Sequence, residues 1–249
     1  MKNKEPLKFK VHDHEFKRVY VWEIPVRFYH WINALCILVL TVTGLLMAHP
    51  PALSSAAEAS FSYWFGINRF LHFSFAYLFF FCFAFRIYWG FVGNRYANWK
   101  NFLPFKKSQF TQVVEVLRAD IVQTKNKPVE TLGHNQLAYF TYFVMFLVFL
   151  FQVISGFGLY APMSSSWFPQ LFDWVVPLFG SDYSLRLWHY MAMWFFILFT
   201  GIHVYLVFYH DYVEGHGVMS SMVGGWKFLP LDEKYEEDLA STTRHSRDE

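Results

Sequence analysis

Four long apolar stretches constrain the fold of this 249-residue chain more than any other feature. They cover about residues 25–48, 68–92, 137–160 and 185–210. A helix of about 20 residues crosses the hydrocarbon core of a bilayer, so each stretch is long enough to span a membrane. Only 16% of the residues are charged while 55% are hydrophobic, which is too little charge for an ordinary water-exposed surface. The sequence therefore predicts an all-α fold, an integral membrane four-helix bundle.

Positive charge is unevenly distributed among the segments that connect these stretches. Loops 49–67 and 161–184 contain no Lys or Arg. The N-terminal segment and segment 93–134 contain Lys2, Lys4, Lys8, Lys10, Lys17, Arg18, Arg95, Lys100, Lys106, Lys107, Arg118, Lys125 and Lys127. The positive-inside rule then predicts a multi-pass protein with both termini in the cytoplasm. In a bacterium the two loops without basic residues would face the periplasm, and the membrane would be the inner membrane.

The chain divides into a predicted membrane domain, 21–228, between a cytoplasmic N-terminal tail, 1–20, and a charged cytoplasmic tail, 229–249. Within the domain, segment 108–124 places apolar side chains at helical spacing, which predicts an amphipathic helix on the cytoplasmic surface. The aromatic loop 161–184 is typical of a membrane interface.

Cysteine and charge patterns exclude several other classes of site. Cys36 and Cys82 lie singly inside apolar runs, without a CxxC pair for zinc or a CxxCH motif for covalent haem. No basic run resembles a nucleic-acid footprint, and we expect no nucleic-acid partner.

Four histidines fall inside the predicted spans, namely His30, His72, His189 and His203. Ionisable groups at membrane depth are costly and by default suggest function, although any one of them could instead be a structural histidine bonded to a neighbouring helix. The last two are 14 residues apart, which is about 21 Å along a helix and within about 40° of one face. One helix therefore presents two imidazoles, one near each membrane surface.

Depth along the spans pairs His30 with His203 on the cytoplasmic side and His72 with His189 on the periplasmic side. Two imidazoles that face each other across a bundle suit a six-coordinate haem iron that transfers electrons. Because no covalent attachment motif is present, the sequence predicts two haem b groups held by ligation and packing alone.

A few other residues share these depths. Gly44 lies 14 after His30 and could let a porphyrin edge approach the backbone, although ordinary small-residue helix packing explains it equally. Arg86 could pair with a haem propionate on the cytoplasmic side, and Arg69 and Arg186 on the periplasmic side, the alternative for each being a snorkelling anchor. We interpret the remaining histidines as surface, solvated or capping groups: His12, His14, His49, His134, His210, His216 and His245.

Seven short motifs surround these residues: EIPVRFYHW at 23–31, RFLHF at 69–73, RIYWGFVGNR at 86–95, GHN at 133–135, WH at 188–189, GIHVY at 201–205 and MSSMVGG at 219–225. With these motifs, the sequence over about residues 20–228 resembles the b-type cytochrome subunit of membrane-bound nickel–iron uptake hydrogenases. The histidine spacing is shared with related di-haem cytochromes such as formate dehydrogenase gamma subunits, whereas RIYWGFVGNR and GHN are more specific to the hydrogenase subunit.

The resemblance implies an electron-transfer subunit beside the large and small subunits of a periplasmic hydrogenase. Electrons would enter the His72/His189 haem from an iron–sulfur cluster and cross to the His30/His203 haem. They would then reduce a membrane quinone near the cytoplasmic face. Where the family pattern has Arg-Glu-Asp-Ile, this chain has Tyr-His-Asp-Tyr at 209–212. The candidate quinone-site groups are Arg27, His210 and Asp211, chosen for their place at the inner end of the bundle.

Other functions fit parts of the pattern. The nearest are a cytochrome b subunit of formate dehydrogenase or thiosulfate reductase, and a freestanding quinol or superoxide oxidoreductase. A histidine-lined metal transporter would need acidic residues inside the spans, and the first three predicted helices have none at their cores. A pure membrane anchor would have no use for four histidines at paired depths.

Overall fold

A computed structural model describes residues 8–11, 14–51, 63–94, 96–98, 136–214 and 217–230. The predicted amphipathic helix at 108–124 and the tail after residue 230 lie outside the described residues.

Four long helices within the described residues are the membrane part of the chain. They are α1 (Ile24–Ala48), α2 (Trp64–Val92), α3 (Gln136–Tyr160) and α6 (Asp182–Glu214), and their bounds match the predicted spans to within about one turn. Each is long and apolar enough to cross a membrane. The all-α membrane bundle predicted from hydropathy is thereby confirmed.

The outer faces of these helices carry large apolar side chains. Phe70, Phe81 and Leu198 expose 68%, 63% and 62% of their surface, and many other apolar side chains on the same helices are similarly exposed. A soluble protein rarely exposes contiguous apolar patches this large, because burying them against another surface or in lipid is strongly favourable. Lipid contact accounts for this exposure.

The chain separates into two compact units, of which the first comprises Phe28–Val204. Its core contains buried Cys36, Phe79, Val153, Phe157 and Phe196. The rings of Phe79 and Phe149 stack with centroids 3.7 Å apart, and both meet Phe196 edge-on at 6.0 and 5.9 Å. This aromatic cluster, Phe79–Phe149–Phe196, joins α2, α3 and α6 in the middle of the membrane.

The connection from α3 to α6 folds back on the end of α3. It consists of a 3₁₀ turn (Ala161–Met163) and two short helices, α4 (Trp167–Gln170) and α5 (Val175–Leu178). The Gln170 amide donates to the carbonyl oxygens of Ala161 (2.9 Å) and Ser164 (2.7 Å). Gly158 admits the buried Val175 side chain, since a Cβ at Gly158 would lie 2.7 Å from the Cβ of Val175.

The second unit, Met1–Arg27 with Tyr205–Glu249, contains a three-stranded antiparallel sheet. Strands β1 (Lys8–Val11) and β3 (Trp226–Pro230) both pair with β2 (His14–Tyr20). Part of the N-terminal segment that we interpreted as a tail therefore forms strands, and β3 extends past residue 228. Hydropathy did not predict this sheet, because its strands are short and β2 pairs with β3 across about 200 residues of sequence.

A glycine turn connects the sheet to the beginning of α1. Helix α7 (Val218–Gly224) ends at Gly225, whose φ is +86°, and the Gly225 carbonyl accepts the backbone N–H groups of Val21 (2.9 Å) and Trp22 (3.1 Å). A Cβ at Gly225 would lie 2.6 Å from the Tyr20 ring and 2.7 Å from the Trp22 carbonyl oxygen. The Trp22 indole N–H also donates to the buried Ser221 hydroxyl at 3.1 Å. Only glycine satisfies both the backbone conformation and the space at this position.

We predict that Gly225→Ala loosens this junction by about 1–3 kcal/mol, the usual cost of a strained backbone conformation. Hydrogen–deuterium exchange of the Val21 and Trp22 amides measures the effect, and exchange should accelerate. Gly224→Ala is the matched control, because no heavy atom lies within 4 Å of its added Cβ and Ala favours a helix. Equal protection in the two variants would contradict the assigned role of Gly225.

Candidate haem-binding site

The first histidine pair joins α1 to α6 near the N-terminal end of α1. The rings of His30 and His203 lie with centroids 6.3 Å apart and planes at 55°. Metal–imidazole bonds are about 2.0–2.1 Å long, so one metal bonded to a nitrogen of each ring would place the two centroids about 6 Å apart. The observed separation matches that of two axial ligands on one iron.

This pair has an aromatic rather than a polar environment. The His203 ring stacks on Phe199 at 5.4 Å and 17°, and His30 meets the edge of Trp31 at 5.3 Å. The Nδ1 atom of His30 is buried without a hydrogen-bond partner in the described part of the chain. A buried polar atom without a partner is costly, and a metal bound at this nitrogen would satisfy it.

The second pair begins with His72 on α2, whose orientation is set by Thr43 on α1. The Thr43 hydroxyl lies 2.8 Å from His72 Nδ1 and donates to the Val39 carbonyl oxygen at 2.6 Å. Because that hydroxyl has a single proton, it accepts from His72 Nδ1–H. The Asn68 amide donates to the Thr43 carbonyl oxygen at 3.0 Å and ties the same turn of α1 to α2. His72 is thus held with a lone pair on Nε2.

His189 on α6 is held in the same tautomer by α3. The fully buried Ser155 hydroxyl lies 2.8 Å from His189 Nδ1 and donates to the Gln152 carbonyl oxygen at 3.3 Å. The Gln152 side-chain amide lies 3.1 Å from His189 Nε2. Iron bound at Nε2 would take the place of this amide and leave the ring proton on Nδ1, next to the Ser155 hydroxyl.

Two glycines allow close approach at this second level. A Cβ at Gly156 would lie 3.2 Å from His189 Cε1, and a Cβ at Gly44 would lie 3.5 Å from His72 Cε1 and 3.7 Å from the Met193 sulfur. Met193 is one turn from His189 on α6. The Gly44 position therefore lies next to both His72 and the turn of α6 that follows His189.

These observations fit haem ligation at both levels. Metal-binding histidines almost always donate their second ring N–H to a nearby acceptor, which fixes the tautomer and orients the ring. His72 and His189 do so, and His30 and His203 have the separation of an axial pair. Among the described residues, no group of three or more His, Cys, Asp or Glu comes together that could hold a bare metal ion.

The three arginines considered as propionate partners occupy different environments. The Arg86 guanidinium lies over the Tyr29 ring at 5.8 Å, next to His30. Arg69 contacts the Met163 sulfur at 3.1 Å and lies over the Phe73 ring at 5.7 Å.

Arg186 is exposed and forms a 3.4 Å ion pair with Asp182 one turn earlier on α6. Of the three, Arg186 most resembles a surface anchor.

The candidate quinone-site residues all belong to the second unit and all have structural contacts there. Arg27 Nη1 donates to the Val223 carbonyl oxygen. Asp211 Oδ1 accepts the Met219 backbone N–H at 3.1 Å, and the His210 ring meets the edge of Tyr209 at 5.5 Å. These contacts give Arg27 and Asp211 a role in holding α7 whether or not they bind quinone.

Sequence reasoning missed Gly156 and four polar residues around the second pair: Thr43, Asn68, Gln152 and Ser155. A detectable signal was present, because Gln152 and Ser155 are spaced three apart in an otherwise apolar helix and Thr43 precedes Gly44. Polar side chains on one face of a membrane helix point toward protein rather than lipid.

Comparison with known proteins agrees with this geometry. The family model described as prokaryotic cytochrome b561 matches residues 21–225. The chain is similar to the probable Ni/Fe-hydrogenase B-type cytochrome subunits of Cupriavidus necator (37% identical, covering 85% of this chain and 87% of the relative) and Azotobacter vinelandii (38%, 86% and 90%). It is also similar to the probable Ni/Fe-hydrogenase 1 B-type cytochrome subunit of Escherichia coli strain K12 (36%, 84% and 90%). The chain therefore belongs to the prokaryotic cytochrome b561 family of membrane-spanning b-type cytochromes.

Proposed function

We propose that this chain is the di-haem cytochrome subunit of a membrane-bound nickel–iron hydrogenase and delivers electrons to a membrane quinone. The observation that carries the proposal is the presence of two imidazole pairs at two levels of one membrane bundle, in a chain of a cytochrome family. The hydrogenase partner is supported by the names of relatives that match most of the chain.

The four histidines would each contribute one axial ligand, His30 with His203 and His72 with His189. A haem iron ligated by two imidazoles exchanges single electrons and has no open position for oxygen. The aromatic cluster Phe79–Phe149–Phe196 lies seven residues from His72 on α2 and midway between His189 and His203 on α6. It packs the interior between the two levels with apolar rings.

Charge asymmetry supports the direction in which the chain inserts. Loops 49–67 and 161–184 lack Lys and Arg, so they would face the periplasm of a bacterial inner membrane, and both termini the cytoplasm. The His72/His189 level would then lie on the side of the hydrogenase large and small subunits. Electron entry there and quinone reduction at the other side would move charge against the membrane potential, at about 2.3 kcal/mol per electron per 100 mV.

Co-purification distinguishes the competing partners. Hydrogenase subunits that copurify with the chain and reduce its haem with hydrogen support the proposal. Formate dehydrogenase or thiosulfate reductase subunits in their place would assign it to a related complex, and full quinol reactivity of the isolated chain would favour a freestanding oxidoreductase. The arrangement of histidines in pairs, together with the family, supports haem rather than the ligand cluster of a metal transporter.

We predict that His203→Ala removes one of two haems and abolishes hydrogen-dependent quinone reduction, because His30 then has no opposing imidazole. Haem extraction with a reduced-minus-oxidised spectrum measures the loss in purified complex. His49→Ala is the matched control, since His49 is exposed at the end of α1, where its ring lies 3.4 Å from the Tyr190 hydroxyl and edge-on to the Tyr190 ring. Full haem content in His203→Ala would refute the pairing.

The proposed quinone site generates a separate prediction. Asp211→Asn keeps an acceptor for the Met219 N–H but removes the charge, so we expect quinone reduction to slow about tenfold or more with haem content unchanged. Stopped-flow oxidation of the reduced cytochrome by quinone measures the rate. Asp173→Asn, at an exposed position between α4 and α5, controls for loss of one carboxylate. An unchanged rate in Asp211→Asn would remove this residue from the site.

A further inference from the structure

Hydroxyl groups distinguish the two histidine levels. At the His72/His189 level, each imidazole Nδ1 lies 2.8 Å from a buried hydroxyl, Thr43 for one and Ser155 for the other. At the His30/His203 level, neither imidazole has a side-chain hydrogen bond in the described ranges, and the His203 ring packs on Phe199. The four axial ligands are thus alike in type but not in hydrogen bonding.

The donor roles at the His72/His189 level follow from iron ligation through Nε2. With iron bound at Nε2, each Nδ1 carries the ring proton and donates it to the neighbouring hydroxyl, while the Thr43 and Ser155 protons are directed to the Val39 and Gln152 carbonyls. An imidazole that donates its second N–H becomes a more basic metal ligand. A more basic axial ligand favours the oxidised iron over the reduced iron, and second-sphere hydrogen bonding is one of the means by which a protein sets haem potential.

We infer that Thr43 and Ser155 are positioning residues that keep the His72/His189 haem at a lower reduction potential than the His30/His203 haem. This inference rests on the proposed di-haem function. One electron then passes from the His72/His189 haem to the His30/His203 haem without any bond being made or broken, so the potential gradient follows the proposed direction from hydrogenase to quinone.

Cationic side chains do not by themselves produce this difference. Arg86 lies near the His30 level, and Arg69 and Arg186 lie near the ends of α2 and α6 that carry His72 and His189. Positive charge is therefore present at both levels, whereas the hydrogen bonds from imidazole to hydroxyl are found at the His72/His189 level.

The test is a potentiometric titration of the full chain in its membrane, followed at the reduced haem absorption band. In Thr43→Val and in Ser155→Ala, the midpoint potential of the lower-potential haem should rise, and that of the higher-potential haem should stay unchanged. Loss of one such hydrogen bond should change the one-electron equilibrium constant about threefold to tenfold, where tenfold equals about 59 mV. Thr43→Ser restores the hydroxyl and should return the potential toward the wild-type value. Thr200→Val, at an exposed position on α6, should shift neither transition.

Haem content, measured in the same samples, distinguishes a failure of this inference from a failure of the proposed function. Two haems per chain with neither transition moved, or with the higher-potential transition moved, overturns the role of the hydroxyls and leaves the proposed function standing. Fewer than two haems in the wild-type chain overturns the proposed function itself. If Thr43→Val loses haem, the midpoint potentials of Ser155→Ala are compared with those of the wild type instead. An unchanged lower potential in Ser155→Ala would then overturn the role of the hydroxyls.

Discussion

The need to satisfy both nitrogens of a buried imidazole organises the interior of this bundle. Water cannot compete for these groups at membrane depth, so each ring nitrogen requires a partner supplied by the protein or by a bound group. At the His72/His189 level, hydroxyls on α1 and α3 satisfy one nitrogen of each ring and leave the other with a lone pair. His72 thereby links α1 to α2, and His189 links α3 to α6. Each ring keeps one nitrogen with which it could bind a metal.

The regular geometry of an α-helix allows α6 alone to present a histidine at each of the two levels. A spacing of 14 residues returns a side chain to nearly the same face about 21 Å further along, and α6 uses it for His189 and His203. Halfway between them, Phe196 joins Phe79 and Phe149 in the aromatic cluster. Apolar side chains that stack and meet edge-on therefore lie between the two histidine levels.

The spans and the histidine pairs could be predicted because both signals are local. Hydropathy over about 20 residues identifies a span, and histidine in an apolar run is conspicuous. The sheet was missed because β2 pairs with β3 across about 200 residues of sequence, which no periodicity in either strand reveals. Thr43 and Ser155 were missed for another reason: a single hydroxyl in an apolar helix usually bonds only its own backbone, and these two do that while also contacting a histidine.

The central claim is that two pairs of imidazoles each hold one haem iron within a single chain. Haem extraction, combined with electron paramagnetic resonance of the oxidised purified protein, tests it most directly because it reports haem type, number and axial ligation together. We expect two non-covalent haem b groups per chain, both low-spin with two imidazole ligands. A single haem per chain, or a high-spin haem with an open axial position, would contradict it.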